Sequence, residues 1–375
     1  MKKIGIITFH ASHNCGSMLQ SFALQKQLNK MGYENEIIDF QSAGQKDMYA
    51  PIHKKLTLKN CVKNALALPY LGKIKNQWKD YEAFKKKTFK LSAEHYSSNE
   101  KLKSTNDNYD IFISGADQIW NITIPDADDS YFLNFVSDGN KKVAYAPSFG
   151  AKKIVDHSND VEKYNNYLKD YKSLSIRENN GQKWIKEMIG KDIPTVLDPT
   201  LLLDKEDYED IREDYKIDGD YIFYYSPSYK KDIDAFVVEI AKKYNLKVIV
   251  WNSREYYVKN EKSNGFVLPT VINPGIYLDL MKNAKLVITT SFHGTIFSTM
   301  YKRNFWVIKN GNMYGNDDRV MTLVNQLCLE DRLIEPKLDD SKDYLSDVDY
   351  SGFDKELKKL RKKSIDYLKE GIENE

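Results

Sequence analysis

The sequence predicts an α/β fold of two Rossmann-like domains facing a cleft. Short apolar runs alternate with amphipathic stretches almost throughout, the pattern of a mainly parallel sheet with crossover helices. The 375 residues exceed what one ordinary core accommodates. The alternation also restarts beyond Asp198-Pro199, a dipeptide that disfavours helix and punctuates the chain.

In the first series, residues 4–9 read as a strand, 10–16 as a polar loop and 17–31 as a helix stopped by Gly32. Residues 36–40 are the returning strand, followed by strands at 109–114, 142–145, 173–176 and 195–197. An acidic helix near 205–215 precedes the second series: strand 221–225, helix 232–244, strand 247–251, helix 275–283 and strand 286–289. A helix opening at His293, a strand at 305–308 and a helix at 319–328 complete it. The expected division is 1–203, 204–352 and a tail helix in 353–375 that packs back on the first domain. Residues 46–105 read as a basic helical insertion. Its stretch 53–103 holds thirteen Lys against four acids, interleaved with Leu66, Leu68, Leu71, Ile74, Trp78, Tyr81 and Phe84. That composition fits a solvated face over an aromatic core, or a peripheral contact with an anionic membrane.

Composition narrows the class. A net charge of +2 argues against a nucleic-acid binder. No apolar run approaches the ~18 residues of a membrane span, and residues 4–9 are too short for a signal-peptide core. Cys15, Cys61 and Cys328 form no CxxC pair, which suits a reducing cytoplasm and no zinc site or disulfide framework. A cytoplasmic location is expected, with the inner membrane face as the place where the basic insertion would act. Oligomeric state is not legible.

Ligands in open parallel sheets collect beyond the carboxyl ends of the strands, and four such ends are rich in polar residues. Ser291, His293, Gly294 and Thr295 open a helix after strand 286–289, where free N–H groups and the helix dipole attract an anion. His293 there can bind an anion and move a proton, or cap the helix. The loop from His10 to Ser17 offers Asn14, Gly16 and Ser17, with Gln20 one turn on, to an anion or sugar hydroxyl; alternatively Ser17 caps the helix. After strand 109–114, Asp117 can act as base or hold a hydroxyl, Gln118 lies beside it, and Trp120 can stack on a pyranose or sit in the core. Arg177 can grip a phosphate or carboxylate bidentately, or pair with an acid such as Glu178. Arg319, at a later helix start, can reach an anion. Asp126-Ala127-Asp128 is a chance-level DxD. No metal cluster or Ser-His-Asp spacing stands out.

Together these pieces resemble the polysaccharide pyruvyl transferase family. They are Asn14-x-Gly16-Ser17-x-x-Gln20-x-x-Ala23-Leu24, Ser114 to Asn121, Ala144 to Gly150, Ser175-Ile176-Arg177-Glu178, Leu197-Asp198-Pro199-Thr200 and Ser291 to Ser298, with Arg319 and Arg332. The resemblance implies a glycosyltransferase-B-like arrangement and transfer of a pyruvyl group from phosphoenolpyruvate to sugar hydroxyls of a polysaccharide or lipid-linked oligosaccharide, giving a ketal. It implies no cofactor and no metal, phosphoenolpyruvate being the co-substrate. Arg177, Ser291, His293, Gly294, Thr295 and Arg319 would bind the donor, with His293 as general acid. His10, Asn14, Gly16, Ser17, Gln20, Gln118 and Trp120 would bind the acceptor beside Asp117, the second catalytic candidate. Many members carry Arg-Leu-His where this chain has Ser291-Phe292-His293; losing one charge-assisted contact costs roughly 1.5–3 kcal/mol, so either Lys309, Arg319 or Arg303 compensates or the donor differs. The rivals are a glycosyltransferase using a nucleotide-sugar donor on the same architecture, and a non-catalytic polysaccharide-assembly protein.

Overall fold

The computed structural model describes residues 2–55, 57–309 and 318–374, apart from the side chain at position 59. The chain order of the first half is β1 (Lys3–Ile7), α1 (Cys15–Lys30), β2 (Glu34–Phe40), α2 (Ala43–Tyr49), α3 (Leu58–Ala67), α4 (Leu71–Thr88), β3 (Leu91–Tyr96), α5 (Asn99–Leu102), β4 (Ile111–Ser114), β5 (Lys142–Ala144), α6 (Val161–Lys169) and α7 (Asn179–Ile189). Its strands form one parallel sheet in the order β3-β2-β1-β4-β5. The central strands β1 and β4 are buried on both faces, which is why they read as unbroken apolar runs.

The second half runs β6 (Tyr221–Tyr225), α8 (Lys231–Tyr244), β7 (Lys247–Val250), α9 (Ser253–Val258), α10 (Pro274–Asn283), β8 (Leu286–Thr289), α11 (Phe292–Met300), β9 (Phe305–Ile308), α12 (Arg319–Gln326), β10 (Leu333–Ile334) and α13 (Ser351–Glu373). Its sheet is also parallel, ordered β10-β9-β8-β6-β7. Two doubly wound sheets on either side of a cleft are the α/β arrangement expected.

Several elements depart from expectation. The basic insertion contains β3, an edge strand of the first sheet pairing with β2. Its Ala93, Glu94 and His95 are exposed, so the apolar alternation that marks a strand is missing. Residues 173–176 and 195–197 make only isolated bridges, Val143 to Ser173 and Ile176 to Thr195. The acidic helix near 205 is a single 3-10 turn, Lys205–Tyr208, closed by reciprocal bonds between Asp204 and Asp207.

The two halves share one apolar cluster, from Ile6 and Leu19 through Leu201 and Tyr208 to Phe223, Leu278 and Phe297. Helix α13 ties them further. It starts by the second sheet, where Tyr350 donates to the Arg303 carbonyl at 2.6 Å. It then crosses to the first, where Ser364 Oγ accepts from Leu197 N at 3.0 Å and Tyr367 donates to the Ala144 carbonyl at 2.9 Å. Arg361 also donates to the carbonyls of Leu201 and Leu203.

Candidate active site

Helix α11 begins at the carboxyl end of β8. Ser291 caps it, its hydroxyl accepting from Gly294 N at 3.3 Å, and Thr295 Oγ1 returns a bond to the Ser291 carbonyl. The cap fixes the first turn, so His293 points out of the second half and into the first. There its Nε2 lies 3.5 Å from Asp198 Oδ2. The other side of the ring faces α1: a Cβ added at Gly16 would sit 2.1 Å from His293 Nδ1. Gly16 is thus required for close approach of the two halves.

Asp198 is the hub. Arg177 Nη1 bonds its Oδ2 at 2.7 Å, while Thr200 supplies its backbone N–H at 3.0 Å and its hydroxyl at 2.6 Å to Oδ1. Burial alone would raise this carboxyl. The charges of the nearby His293 and Arg177, with the hydrogen bonds from Thr200 and Arg177, overcome it and hold Asp198 well below the usual carboxylate range. Arg177 Nη2 also lies 3.6 Å from Asp117 Oδ1, and Ser17 Oγ donates to Asp117 Oδ2 at 2.5 Å. Asp117 has left-handed backbone, φ +73°, an arrangement that recurs where function holds a residue in place. Asp117, Arg177, Asp198 and His293 are all nearly inaccessible, His293 being 7% exposed.

Among the described residues, two nitrogens in this cluster have no hydrogen-bond partner: Arg177 Nε and His293 Nε2. The His293–Asp198 separation is within ion-pair reach, but the geometry is not that of a hydrogen bond. Glu178 completes the cluster. Its Oε1 accepts from Phe149 N at 2.9 Å, and its Oε2 has no partner among the described residues. Burial lifts its carboxyl to about 7 against the pull of Arg177 and Arg319. The Asp318 carboxylate accepts from Asn180 N at 3.0 Å, bringing the start of α12, and hence Arg319, against the start of α7.

The cluster adjoins a cleft of about 1610 Å³. Asn14, Cys15 and Tyr225 line it next to the Gly16–His293 contact, and the charge of Asp117 reaches Tyr49 and Tyr225 in its wall. Trp78, Tyr81 and Trp251 also line it, with Lys46, Lys54, Lys55, Lys63, Lys85 and Arg254.

A profile of the family described as polysaccharide pyruvyl transferase matches residues 14–312, which takes in Gly16, Ser17, Asp117, Arg177, Asp198 and His293. The chain belongs to that family. It is therefore a transferase, and the buried cluster beside the cleft is its candidate active site. No functionally curated protein matches the sequence. Similar solved structures include the UDP-GlcNAc 2-epimerase from Neisseria meningitidis bound to UDP-GlcNAc, at 9% identity, TM-score 0.47, covering 99% of this chain and 94% of that one. The UDP-GlcNAc 2-epimerase from Methanocaldococcus jannaschii has 12% identity, TM-score 0.48, and covers 94% and 98%. The E. coli heptosyltransferase WaaC with ADP-2-deoxy-2-fluoro heptose has 11% identity, TM-score 0.38, and covers 95% and 99%.

In this pyruvyl transferase family member the expected residues divide sharply. Asp117, Ser17, Gly16, Arg177 and His293 converge, with Ser291, Gly294 and Thr295 shaping the turn beneath His293. Asn14 caps α1 through Ser17 N and lines the cleft. Four acceptor candidates are elsewhere. His10 is fully buried between the Thr8 carbonyl and Asp39. Gln20 spends its amide on Thr8, the Ser17 carbonyl and Ala116 N, bracing the turn that carries Asp117. Trp120 is core, stacked on Phe132 at 5.3 Å, its indole N–H donating to the Tyr131 carbonyl; the indoles that line the cleft are those of Trp78 and Trp251. Gln118 bonds Asn121 and abuts Gly150.

Arg303 cannot replace the family's missing arginine, because it lies past the far end of α11 and donates to the Tyr301 carbonyl. Phe292 instead places its ring 4.3 Å from the Arg177 guanidinium. Arg332 stacks on Trp306. Asp126 of the DxD is buried with its carboxyl raised to about 6, chiefly by burial, while Asp128 caps a 3-10 turn. Residues 310–317, read as the approach to Arg319, lie outside the described residues. The participants overlooked as chemistry are Asp198, Thr200 and Glu178. Asp198-Pro199-Thr200 read as punctuation, although an Asp-Pro-Thr turn also presents a carboxylate capped by its own threonine.

Proposed function

We propose that this transferase moves a pyruvyl group from phosphoenolpyruvate to sugar hydroxyls, closing a cyclic ketal and releasing inorganic phosphate. The observation that carries this reading is the pair of nitrogens without a hydrogen-bond partner among the described residues, Arg177 Nε and His293 Nε2, on buried side chains that approach Asp198 from the two halves. Buried donors without partners are costly, and a small trianion satisfies both while its carboxylate and phosphate meet Arg177, Arg319 and the N-terminus of α11.

His293 gives a proton to the methylene carbon of the enol, leaving an oxocarbenium at the carbon bearing carboxylate and phosphate. The first sugar hydroxyl adds there, oriented by Asp117 and Ser17. The carbon–oxygen bond to phosphate then breaks, phosphate leaves with the electron pair, and the second hydroxyl closes the ketal. Of the two protons shed by the hydroxyls, one restores His293 and one departs on phosphate. Asp198 holds the imidazole in place and balances Arg177. Burial of the cluster excludes water as a competing acceptor. Trp78 offers a stacking face to the glycan, and the cleft lysines suit an acceptor bearing negative charge.

Thermal denaturation tests the reading. Phosphoenolpyruvate at 100 times its dissociation constant stabilises the folded state by about 2.7 kcal/mol, an effect expected in wild type and absent in Arg177→Met. Stabilisation by a nucleotide such as UDP or CMP, with none by phosphoenolpyruvate, would move the assignment to a nucleotide-sugar glycosyltransferase.

A further inference from the structure

Helix α3 is built inside out. Its apolar residues Leu58, Val62 and Leu66, at i, i+4 and i+8, are 84%, 52% and 50% exposed, and Leu68 just beyond is 64% exposed. Cys61 and Ala65, between them on the same face, are also exposed. The two asparagines turn inward. Asn64 clasps the backbone of His53, its Oδ1 accepting from N at 3.0 Å and its Nδ2 donating to O at 2.9 Å, while Asn60 donates to the Lys55 carbonyl at 2.9 Å. A helix of a water-soluble protein does the reverse, and contiguous exposed apolar surface marks an interaction site.

We propose that α3 docks on an anionic lipid surface, lying in the headgroup plane with Leu58, Val62, Leu66 and Leu68 in the acyl boundary. Charge selects the occupant. Between Asp47 and Asp80 there is no acidic residue, and lysines stand at 54, 55, 59, 63, 73, 75 and 79. Lys54, Lys55 and Lys63 are exposed beside the apolar stripe. A second copy of this chain would bring the same cationic face and repel it, whereas anionic headgroups complement it. Ten residues span only about 15 Å, too short to cross a bilayer and sufficient to lie on one. No helix among the described residues is long and apolar enough to cross. The same segment gives Lys54, Lys55, Thr57, Asn60 and Lys63 to the cleft wall. Docking therefore sets the cleft mouth at the headgroups, within reach of an acceptor carried on lipid. The inference does not depend on which donor the enzyme uses.

Co-sedimentation of the full-length protein with vesicles tests it, comparing phosphatidylcholine alone with phosphatidylcholine containing about a third phosphatidylglycerol, at low and high salt. Binding is expected only to the anionic vesicles and only at low salt. Leu58→Asp/Val62→Asp/Leu66→Asp abolishes it. Lys54→Gln/Lys55→Gln/Lys63→Gln weakens it on the order of 100-fold, since each lysine near the surface contributes about tenfold or somewhat less. Leu58→Ser/Leu66→Ser serves if the aspartates perturb folding, checked by far-ultraviolet circular dichroism. Absence of binding at low salt overturns the proposal, as does binding that survives both apolar variants. So does a concentration-dependent dimer in light scattering that those variants dissolve, which would make a second copy the occupant.

Discussion

At the scale of single residues, the candidate active site is a buried cluster whose members are chemically interdependent. His293→Gln keeps the size of the side chain but removes the proton donor, so transfer should fall 10²- to 10⁴-fold with little change in melting temperature. A progress curve of phosphate release measures it. Asp198→Asn leaves Arg177 and His293 with reduced compensation in a buried site, and breaking such a pair costs on the order of 3–5 kcal/mol, read by urea denaturation. Glu178 supplies the pH dependence. Its folded carboxyl sits at about 7, above its ordinary value of 4.5, so the folded state binds the extra proton. Stability from this group is therefore full below about 4.5 and declines as pH rises to about 7, by on the order of 3 kcal/mol. Glu178→Gln should flatten that decline, measured as unfolding free energy from pH 5 to pH 8. Asp198 acts oppositely, its contribution present at neutral pH and lost as pH falls below the ordinary carboxylate range. Much of this cluster was legible in sequence, because Asp117, Arg177 and His293 each follow an apolar strand-like run. Glu178 was not, since an acid next to an arginine looks like its salt-bridge partner; only burial reveals a carboxyl that lacks one.

At the scale of elements, the contact between the starts of α1 and α11 decides whether the site forms. Gly16→Ala ordinarily strengthens a helix by roughly 0.5–1 kcal/mol. Here the new methyl would collide with the imidazole of His293, so activity should fall at least tenfold and stability should drop rather than rise, both seen by pairing a rate assay with a thermal melt. Ser17→Ala, which keeps α1 intact but removes the hydroxyl bonded to Asp117, separates the local effect from the helix effect. Elements with both faces buried, such as β6, β8 and β9, were read from sequence with their bounds intact, because a parallel strand between helix layers needs apolar residues throughout. The edge strand β3 escaped, since its exposed Ala93, Glu94 and His95 obey water rather than a core. Trp120 and Gln20 were misassigned for the converse reason: a polar or indole group at a strand end can serve the fold as readily as a ligand, and periodicity does not distinguish the two.

At the scale of the molecule, one apolar cluster and α13 bind the two halves, and the candidate active site lies where they meet. Arg361→Ala removes bonds to the carbonyls of Leu201 and Leu203 and the ion pair with Asp204. A loss of about 1–3 kcal/mol is expected in urea denaturation, with both halves unfolding in one transition. The two-sheet plan was readable because the β/α alternation restarts. The contact of His293 with Asp198 was not, since residues 95 positions apart in sequence meet only through the closure of one half on the other. The most direct measurement is nuclear magnetic resonance of the full-length protein incubated with phosphoenolpyruvate and a glycan acceptor. Inorganic phosphate should accumulate in equal amount with a new ketal methyl signal, and both should vanish in His293→Gln. Phosphate release without a ketal methyl, or a ketal formed at the wild-type rate by His293→Gln, would contradict the account.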